Sequence, residues 1–329
     1  MAEKKIGTIS AWADVASGLS TFKLKAQPGT SFPDYKAGQY IALLRENCRL
    51  TVKVKGADGR VRFEPALGED GTQKTGTVSH SYSIASAPFE TKAKGEIEIY
   101  IVLEKLEGDF GRFTESLFDA PSHVGDTVGY LDRIVGNFTL DQRAAGSEHV
   151  VLVGTGTGLA PFVGMMKQVA HDAKAGLPSA IRYTLIHANR TVGELGYDAD
   201  LRALNHETIP GFDFQYVPSV SRPTSSDLND PSLSQGRANN LLRSMLSLPT
   251  REQEVVEEAR AKGGDVAAAQ NTADKATPPR LASGLDAGVL KRRMPGGRTA
   301  VLTCGNSDLM EDIKRICEKA RFKFEMEEW

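Results

Sequence analysis

The alternation of hydrophobic and polar positions changes rhythm once along this chain, near residue 140. Before that point apolar residues come in short runs that alternate with polar ones or are rich in β-branched side chains. Examples are 40–44 (Tyr-Ile-Ala-Leu-Leu), 50–54 (Leu-Thr-Val-Lys-Val) and 97–103 (Ile-Glu-Ile-Tyr-Ile-Val-Leu). Gly, Pro, Asp and Asn separate the runs, so the pattern predicts short strands closing into an antiparallel barrel. One helix is predicted inside it, over 112–118, after Gly111. From about 148 onward, strands alternate with helices: strand 149–153, helix 160–175, strand 182–187, helix 194–204, strand 213–217, helix 238–247, strand 299–303 and helix 308–320. The alternation at 322–326 adds a last strand. Such a rhythm predicts a parallel sheet with helices on both faces. The expected fold is therefore a two-domain one, with an antiparallel β-barrel over 1–142 and an α/β doubly wound parallel sheet over 143–329.

One stretch breaks the second rhythm. Between Pro249 and Gly297 the chain is rich in Ala and charge. Residues 251–260 should be helical, Lys262-Gly-Gly264 should stop the helix, and 270–279 is expected to be disordered. We treat about 249–297 as an insertion, for which a solvated linker and a functional element are equally good expectations.

Composition narrows the class. The chain has 329 residues, 40% hydrophobic and 25% charged, with net charge −2, which suits a globular protein and gives no reason to expect nucleic acid or a membrane surface as partner. Three widely spaced cysteines, Cys48, Cys304 and Cys317, make neither a disulfide framework nor a four-cysteine iron–sulfur or zinc site. There is no apolar leader and no run long enough to span a bilayer, so a cytoplasmic location without membrane insertion is expected.

The strongest chemical signal follows strand 149–153. Gly154-Thr155-Gly156-Thr157-Gly158 leads through Leu159-Ala-Pro-Phe162 into a helix. A buried strand running into a glycine-rich turn and a helix offers backbone N–H groups to a pyrophosphate. The usual dinucleotide fingerprint is absent, because Leu159 stands where its third glycine would be. Three arginines lie at element ends nearby: Arg190 after strand 182–187, Arg222 in Ser221-Arg222-Pro223 after strand 213–217, and Arg237 at a helix start. In a doubly wound sheet the loops after strand carboxyl ends converge on the ligand crevice. No Asp or Glu stands where a ribose 2′-hydroxyl would be bound, and converging arginines suit a 2′-phosphate, so NADP is expected over NAD.

Other segments are weaker alone. His80-Ser81-Tyr82-Ser83 could stack an aromatic ring on a flat ligand and donate a hydroxyl to it, or simply be an edge strand with exposed serines. Gly111-Arg112-Phe113-Thr114 at a helix start favours an anion, or is an ordinary cap. Cys304-Gly305-Asn306 follows strand 299–303 and would reach the crevice mouth. The final Trp329 needs a docking place, which a flat cofactor would supply.

Taken in order, Ala37-Gly-Gln-Tyr40, Tyr82-Ser83, Gly111-x-x-Thr114, Gly136-x-Phe138, Gly154 to Phe162, Ser221-Arg222 and Cys304-Gly305 resemble the ferredoxin–NADP reductase family of flavoproteins. His187-Ala-Asn-Arg190, Glu194-Leu-Gly-Tyr197 and the terminal Trp resemble its bacterial branch. The resemblance covers nearly the whole chain except the insertion. It implies an FAD-binding barrel and an NADP-binding α/β domain. It implies that His80, Ser81, Tyr82 and Ser83, Ile101, Val102 and Leu103, and Gly111, Arg112, Phe113 and Thr114 line FAD. Tyr82 and Trp329 would cover the two faces of the isoalloxazine, and Ser83 would lie by N5. Thr155 and its loop would hold the NADP pyrophosphate, and Arg190, Ser221, Arg222 and Arg237 would read the 2′-phosphate. Cys304 and Glu327 would frame the nicotinamide.

The chain departs from the family at His80, where an arginine usually pairs with the FAD pyrophosphate. Histidine is shorter and mostly neutral at pH 7. A weaker hold on FAD, compensation by Arg112, or FMN in its place are the alternatives. Asn306-Ser307 also replaces the Asn-Pro of many bacterial members.

The activity implied is hydride transfer from NADPH to FAD and single-electron delivery to an acidic carrier, ferredoxin or flavodoxin. Lys291, Arg292, Arg293, Arg298, Lys314, Arg315, Lys319, Arg321 and Lys323 could steer such a partner, although acidic residues intervene. The rival readings are a reductase component of an oxygenase, a free flavin reductase, and a nucleotide-sensing protein without catalysis.

Overall fold

The computed structural model describes residues 3–56, 61–106, 109–110 and 112–327. The chain divides into two compact units, Met1–Thr139 and Leu140–Trp329.

In the first unit the strands are β1 (Lys4–Ala16), β2 (Leu19–Ala26), β3 (Tyr40–Arg49), β4 (Thr51–Lys55), β5 (Val61–Pro65), β6 (Thr75–Ser83), β7 (Glu96–Val102), β8 (Lys105–Leu106), β9 (Asp109–Phe110) and β10 (Thr127–Val135). Helix α1 (Pro88–Lys94) precedes β7, and α2 (Arg112–Phe118) precedes β10. Six strands form one sheet in the order β6-β3-β10-β1-β2-β7, with antiparallel neighbours. Its two edges meet where Ile84, just past β6, bridges Ile99 of β7, and the Ala85 N–H donates to the Glu98 carbonyl at 2.8 Å. Closure of this kind removes the exposed edges of an antiparallel sheet. The period-two pattern sends Phe22, Leu24, Ile41, Leu43, Ile97, Ile99 and Ile101 into one core with Phe113 and Tyr130.

The predicted strand at 50–54 forms as β4, but outside this sheet. Among the described residues it pairs with β5 in a separate two-stranded sheet, and Val52 and Val61 remain exposed. Its alternation marks a strand without telling which strand it will meet.

The second unit contains α3 (Leu140–Arg143), β11 (His149–Thr155), α4 (Ala160–Lys174), β12 (Arg182–Asn189), α5 (Asp198–His206), β13 (Asp213–Val220), α6 (Ser225–Asn229), β14 (Ser234–Gln235), α7 (Ala238–Met245), α8 (Arg251–Lys262), α9 (Val266–Lys275), α10 (Ala287–Arg293), β15 (Thr299–Cys304), α11 (Ser307–Ala320) and β16 (Lys323–Met326). The sheet order is β14-β13-β12-β11-β15-β16, parallel throughout. The central β11 and β15 are buried almost end to end, as expected for strands covered on both faces. The chain winds outward from β11 to β12 and β13, then returns to β15 on the other side of β11. That reversal makes the β11–β15 junction the topological switch point, where open α/β sheets bind ligands.

The expected disorder at 270–279 is overturned. The left-handed Gly263 ends α8, and the Asp265 side chain then caps α9 by accepting the Ala268 N–H at 2.9 Å. An alanine-rich, capped segment is a good helix former despite its polarity.

The insertion is also tied down at its entry. Arg243, 1% exposed, pairs with Asp312 at 2.6 Å and with Glu254 of α8 at 2.8 Å. Lys319 closes on Glu254 at 2.7 Å. The paired guanidinium holds the Glu254 carboxyl down at about 2. A buried charge with this many partners is costly to break from one side.

Candidate nucleotide and flavin sites

At the switch point two glycine-containing turns pack against each other. After Gly154 the chain makes a 3₁₀ turn, Gly156–Leu159, before α4 begins. A Cβ on Gly158 would overlap the Cys304 carbonyl, and one on Gly305 would overlap Thr155 Oγ1. Gly305 also has φ +134°, outside the range of L side chains. Both positions therefore need glycine on steric grounds. No acidic residue stands in the first turn of α4, and the first N–H groups of a helix lack intrahelical acceptors. The N-terminus of α4 therefore follows a glycine turn at the carboxyl end of β11, an arrangement suited to a diphosphate; α11 also follows a glycine turn, at the end of the adjacent β15, but carries Asp308 in its first turn.

Asn189 fixes this loop. Its Oδ1 accepts the Gly156 N–H at 2.9 Å, and its amide nitrogen donates to the Glu194 carbonyl. Glu194 Oε2 in turn accepts the Arg190 backbone N–H at 3.0 Å. Sequence reasoning missed this role. The available signal was an amide side chain at the end of the strand parallel to the glycine turn, where Thr155 sits opposite Ala188.

The loops carrying the predicted 2′-phosphate readers are joined by backbone hydrogen bonds. The Ser221 N–H donates to the Asn189 carbonyl and the Arg222 N–H to the Arg190 carbonyl, both at 2.9 Å. The Gly236 N–H donates to the Val220 carbonyl at 2.9 Å. Arg190, Arg222 and Arg237 all have exposed side chains. Arg237 reaches Glu252 only at 4.0 Å, and among the described residues neither Arg190 nor Arg222 has an ion-pair partner.

Cys304 is buried at the end of β15, level with Gly154 in the parallel register. Just past β16, the Glu327 N–H donates to the Thr303 carbonyl at 3.0 Å. Glu327 is 7% exposed, and burial pushes its carboxyl pKa up to about 7, with Arg143 pulling the other way. Cys304 and Glu327 thus flank one strand end. Trp329 lies outside the described residues.

In the first unit, His80 and Tyr82 of β6 stand opposite Leu43 and Ile41 of β3 and lean on Phe113. The ring centroids are 6.0 Å and 5.4 Å from that of Phe113. The two predicted flavin segments, 80–83 and 112–114, are thereby brought together. Burial raises the Tyr82 phenol well above its usual range, which keeps it neutral. Ser79 and Ser81 are exposed. Ser83 is only 6% exposed, and among the described residues its hydroxyl has no hydrogen-bond partner. A buried hydroxyl without a partner is unfavourable unless a ligand completes it.

The remaining predicted residues are placed as follows. Thr114 is buried, and its hydroxyl accepts the Glu104 N–H at 3.0 Å. The Ile101 side chain belongs to the barrel core, Val102 is exposed, and the Leu103 N–H donates to the Gly18 carbonyl. Arg112 opens α2 and has no ion-pair partner among the described residues. Gly111 lies outside the described residues. The basic C-terminal residues are largely spoken for within the unit: Arg293 pairs with Asp213 and Arg298 with Glu148, while Lys319 and Lys323 pair with Glu254 and Glu325. Arg292, Lys314, Arg315 and Arg321 stay exposed.

The described residues contain no helix long and apolar enough to cross a membrane and no His, Cys, Asp or Glu group arranged to hold a metal ion.

Comparison with known proteins agrees with this geometry. Residues 152–253 match the model of the oxidoreductase NAD-binding domain family. No curated protein matches the sequence. Among solved structures, a ferredoxin NADP+ reductase from Neisseria gonorrhoeae with bound FAD and NADP superposes with TM-score 0.57 at 20% identity, over 99% of each chain. The cytochrome b5 reductase domain of Ulva prolifera nitrate reductase gives TM-score 0.57 at 15% identity, over 99% of this chain and 97% of that one. A flavohemoglobin from Malassezia yamatoensis with bound FAD and heme gives 0.58 at 14%, over 99% of this chain and 60% of that one. The chain therefore has the two-domain fold of ferredoxin NADP+ reductase-type proteins, and residues 152–253 are similar to the oxidoreductase NAD-binding domain.

Proposed function

We propose that this protein is an NADPH-dependent flavoprotein reductase that passes hydride from NADPH to FAD and then single electrons to ferredoxin or flavodoxin. The observation that carries the reading is the joined set of loops bearing Arg190, Arg222 and Arg237 at the carboxyl edge of an oxidoreductase nucleotide sheet. These exposed guanidiniums suit the dianionic 2′-phosphate that distinguishes NADPH from NADH.

FAD, when bound, supplies the hydride acceptor and the conversion from two-electron to one-electron transfer. The chain's own residues do the rest. Ser83, with its buried unpartnered hydroxyl, would donate a hydrogen bond to the flavin when it is bound. Tyr82, neutral and braced by Phe113, offers a flat apolar surface to the ring. Arg112 supplies positive charge toward the FAD pyrophosphate in place of the usual arginine at position 80. The glycine turns at 154–158 and 305 bring backbone N–H groups up to the NADP pyrophosphate, and Cys304 and Glu327 hold the nicotinamide end. Glu327, with its pKa near neutrality, can exchange a proton there at physiological pH.

The electron acceptor is the finer part of the proposal. The exposed Arg292, Lys314, Arg315 and Arg321 would steer an acidic carrier. A second reading, a reductase component serving a dedicated oxygenase, is favoured by the internal ion pairs that use up much of the basic C-terminal charge.

The test is to release the flavin by heat, identify it, and measure NADPH and NADH oxidation with ferricyanide as acceptor. FAD in near-stoichiometric amount and a kcat/KM strongly favouring NADPH are expected. A colourless protein, or equal use of the two nucleotides, would overturn the reading.

A further inference from the structure

The insertion returns to the body of the second unit along the loops that carry the arginines. Within 276–282, Arg280 forms an isolated antiparallel bridge with Gln235 of β14. Gln235 and Arg280 exchange backbone hydrogen bonds of 2.7 and 3.0 Å, and the Ala282 N–H donates to Ser234 Oγ at 3.0 Å. Two contacts fall on the nucleotide loops themselves. Thr277 Oγ1 donates to the Ser221 carbonyl at 2.7 Å. Pro279 Cα lies 3.0 Å from where a Cβ on Gly236 would stand, and Gly236 has φ +106°. The strap thus presses on the residue before Arg222 and on the residue before Arg237.

From this geometry we infer that the insertion is a specificity device: its return segment, through Thr277 and Pro279, fixes the Ser221-Arg222 and Gly236-Arg237 loops in the conformation that binds a 2′-phosphate. The inference rests on the NADPH reading above. Thr277 is a positioning residue, since it touches the loop backbone and not the nucleotide. The buried Arg243–Glu254–Asp312 cluster anchors the strap at its entry, and the Gln235–Arg280 bridge with the Ala282–Ser234 bond anchors it at its exit. Its position is therefore set independently of any ligand, which is the condition for preorganising a site. Occupying the β14 edge at Gln235 is a second consequence of the same bridge, but that role alone would make no distinction between nucleotides.

The test compares Thr277→Ala, Thr277→Ser and Arg222→Ala in the full-length protein, using binding of adenosine 2′,5′-bisphosphate and of 5′-AMP by calorimetry together with kinetics. One lost hydrogen bond corresponds to a change of about threefold to tenfold. Thr277→Ala should weaken the bisphosphate and raise the NADPH KM by that factor, with kcat, 5′-AMP affinity and the NADH KM unchanged. Thr277→Ser should restore the wild-type values. If Thr277→Ala alters both ligands equally or neither, while Arg222→Ala still discriminates between them, the strap is merely structural and the inference falls alone. If Arg222→Ala also fails to discriminate, the NADPH reading falls and the inference with it.

Discussion

The glycine crevice between β11 and β15 and the β6 strand of the barrel are both candidate cofactor sites, but they are built in opposite ways. The crevice works by lacking side chains. Gly158 and Gly305 leave no room for a Cβ because a neighbouring turn already occupies the space, and binding falls to backbone N–H groups. The β6 site depends on side chains. Its backbone is an ordinary antiparallel strand paired with β3, and its proposed chemistry would rest on the Ser83 hydroxyl and the Tyr82 ring. The contrast predicts that damage to the first site destroys fold and function together, whereas damage to the second removes chemistry and leaves the fold.

Substitution at Gly158 should give the largest effect. Gly158→Ala forces a methyl into the Cys304 carbonyl, so the cost falls at or above the usual overpacking range of about 1–3 kcal/mol. Denaturant midpoints should drop and NADP+ binding should vanish. Retention of both would mean that the two turns are not rigidly apposed. Next comes Ser83→Ala, for which reduction of bound flavin should slow about 100-fold, the scale of losing one preorganised donor. Thermal stability without flavin should stay level or rise, because an unpartnered buried hydroxyl is removed. A large fall in melting temperature with unchanged reduction rate would reverse the contrast. Arg222→Ala and Arg237→Ala should each raise the NADPH KM about tenfold, for loss of a charge-assisted contact, and leave the NADH KM alone. A parallel change with both nucleotides would move these arginines away from the 2′-phosphate.

The smallest effect concerns Glu327. Its folded pKa, about 7, is raised from an ordinary 4.5 by burial, so between these values the folded state holds more protons than the unfolded one. Its contribution to stability is full below about pH 4.5 and lost as pH rises through 7. Glu327→Gln should flatten the corresponding decline in melting temperature, and an unchanged slope would assign that decline to other groups.

The same contrast explains how far the sequence could be read. Glycine turns are legible because only one residue type satisfies them, so the order of residues alone announces the crevice at Gly154 to Gly158 and Gly305. The loops bearing Arg190, Arg222 and Arg237 are legible because strand–helix alternation orders them along one sheet edge. Tyr82 and Ser83 stand out only through resemblance to a family, since a strand with serines is common. What the sequence does not disclose depends on long-range pairing. The β4 strand meets β5 and not the barrel, Asn189 reaches across to Gly156, and the basic C-terminal residues find Asp213, Glu148 and Glu254. The order of α9 is a different case. Its Asp265 cap and alanine content are local signals, outweighed in the sequence by the polarity of the segment.

Anaerobic stopped-flow reduction of the purified protein by NADPH and by NADH, followed by loss of flavin absorbance, tests the central claim most directly. Complete reduction by NADPH at a saturable rate is expected, with NADH needing far higher concentrations for the same rate. Equal concentration dependence for the two nucleotides, or no absorbance change with either, would contradict it.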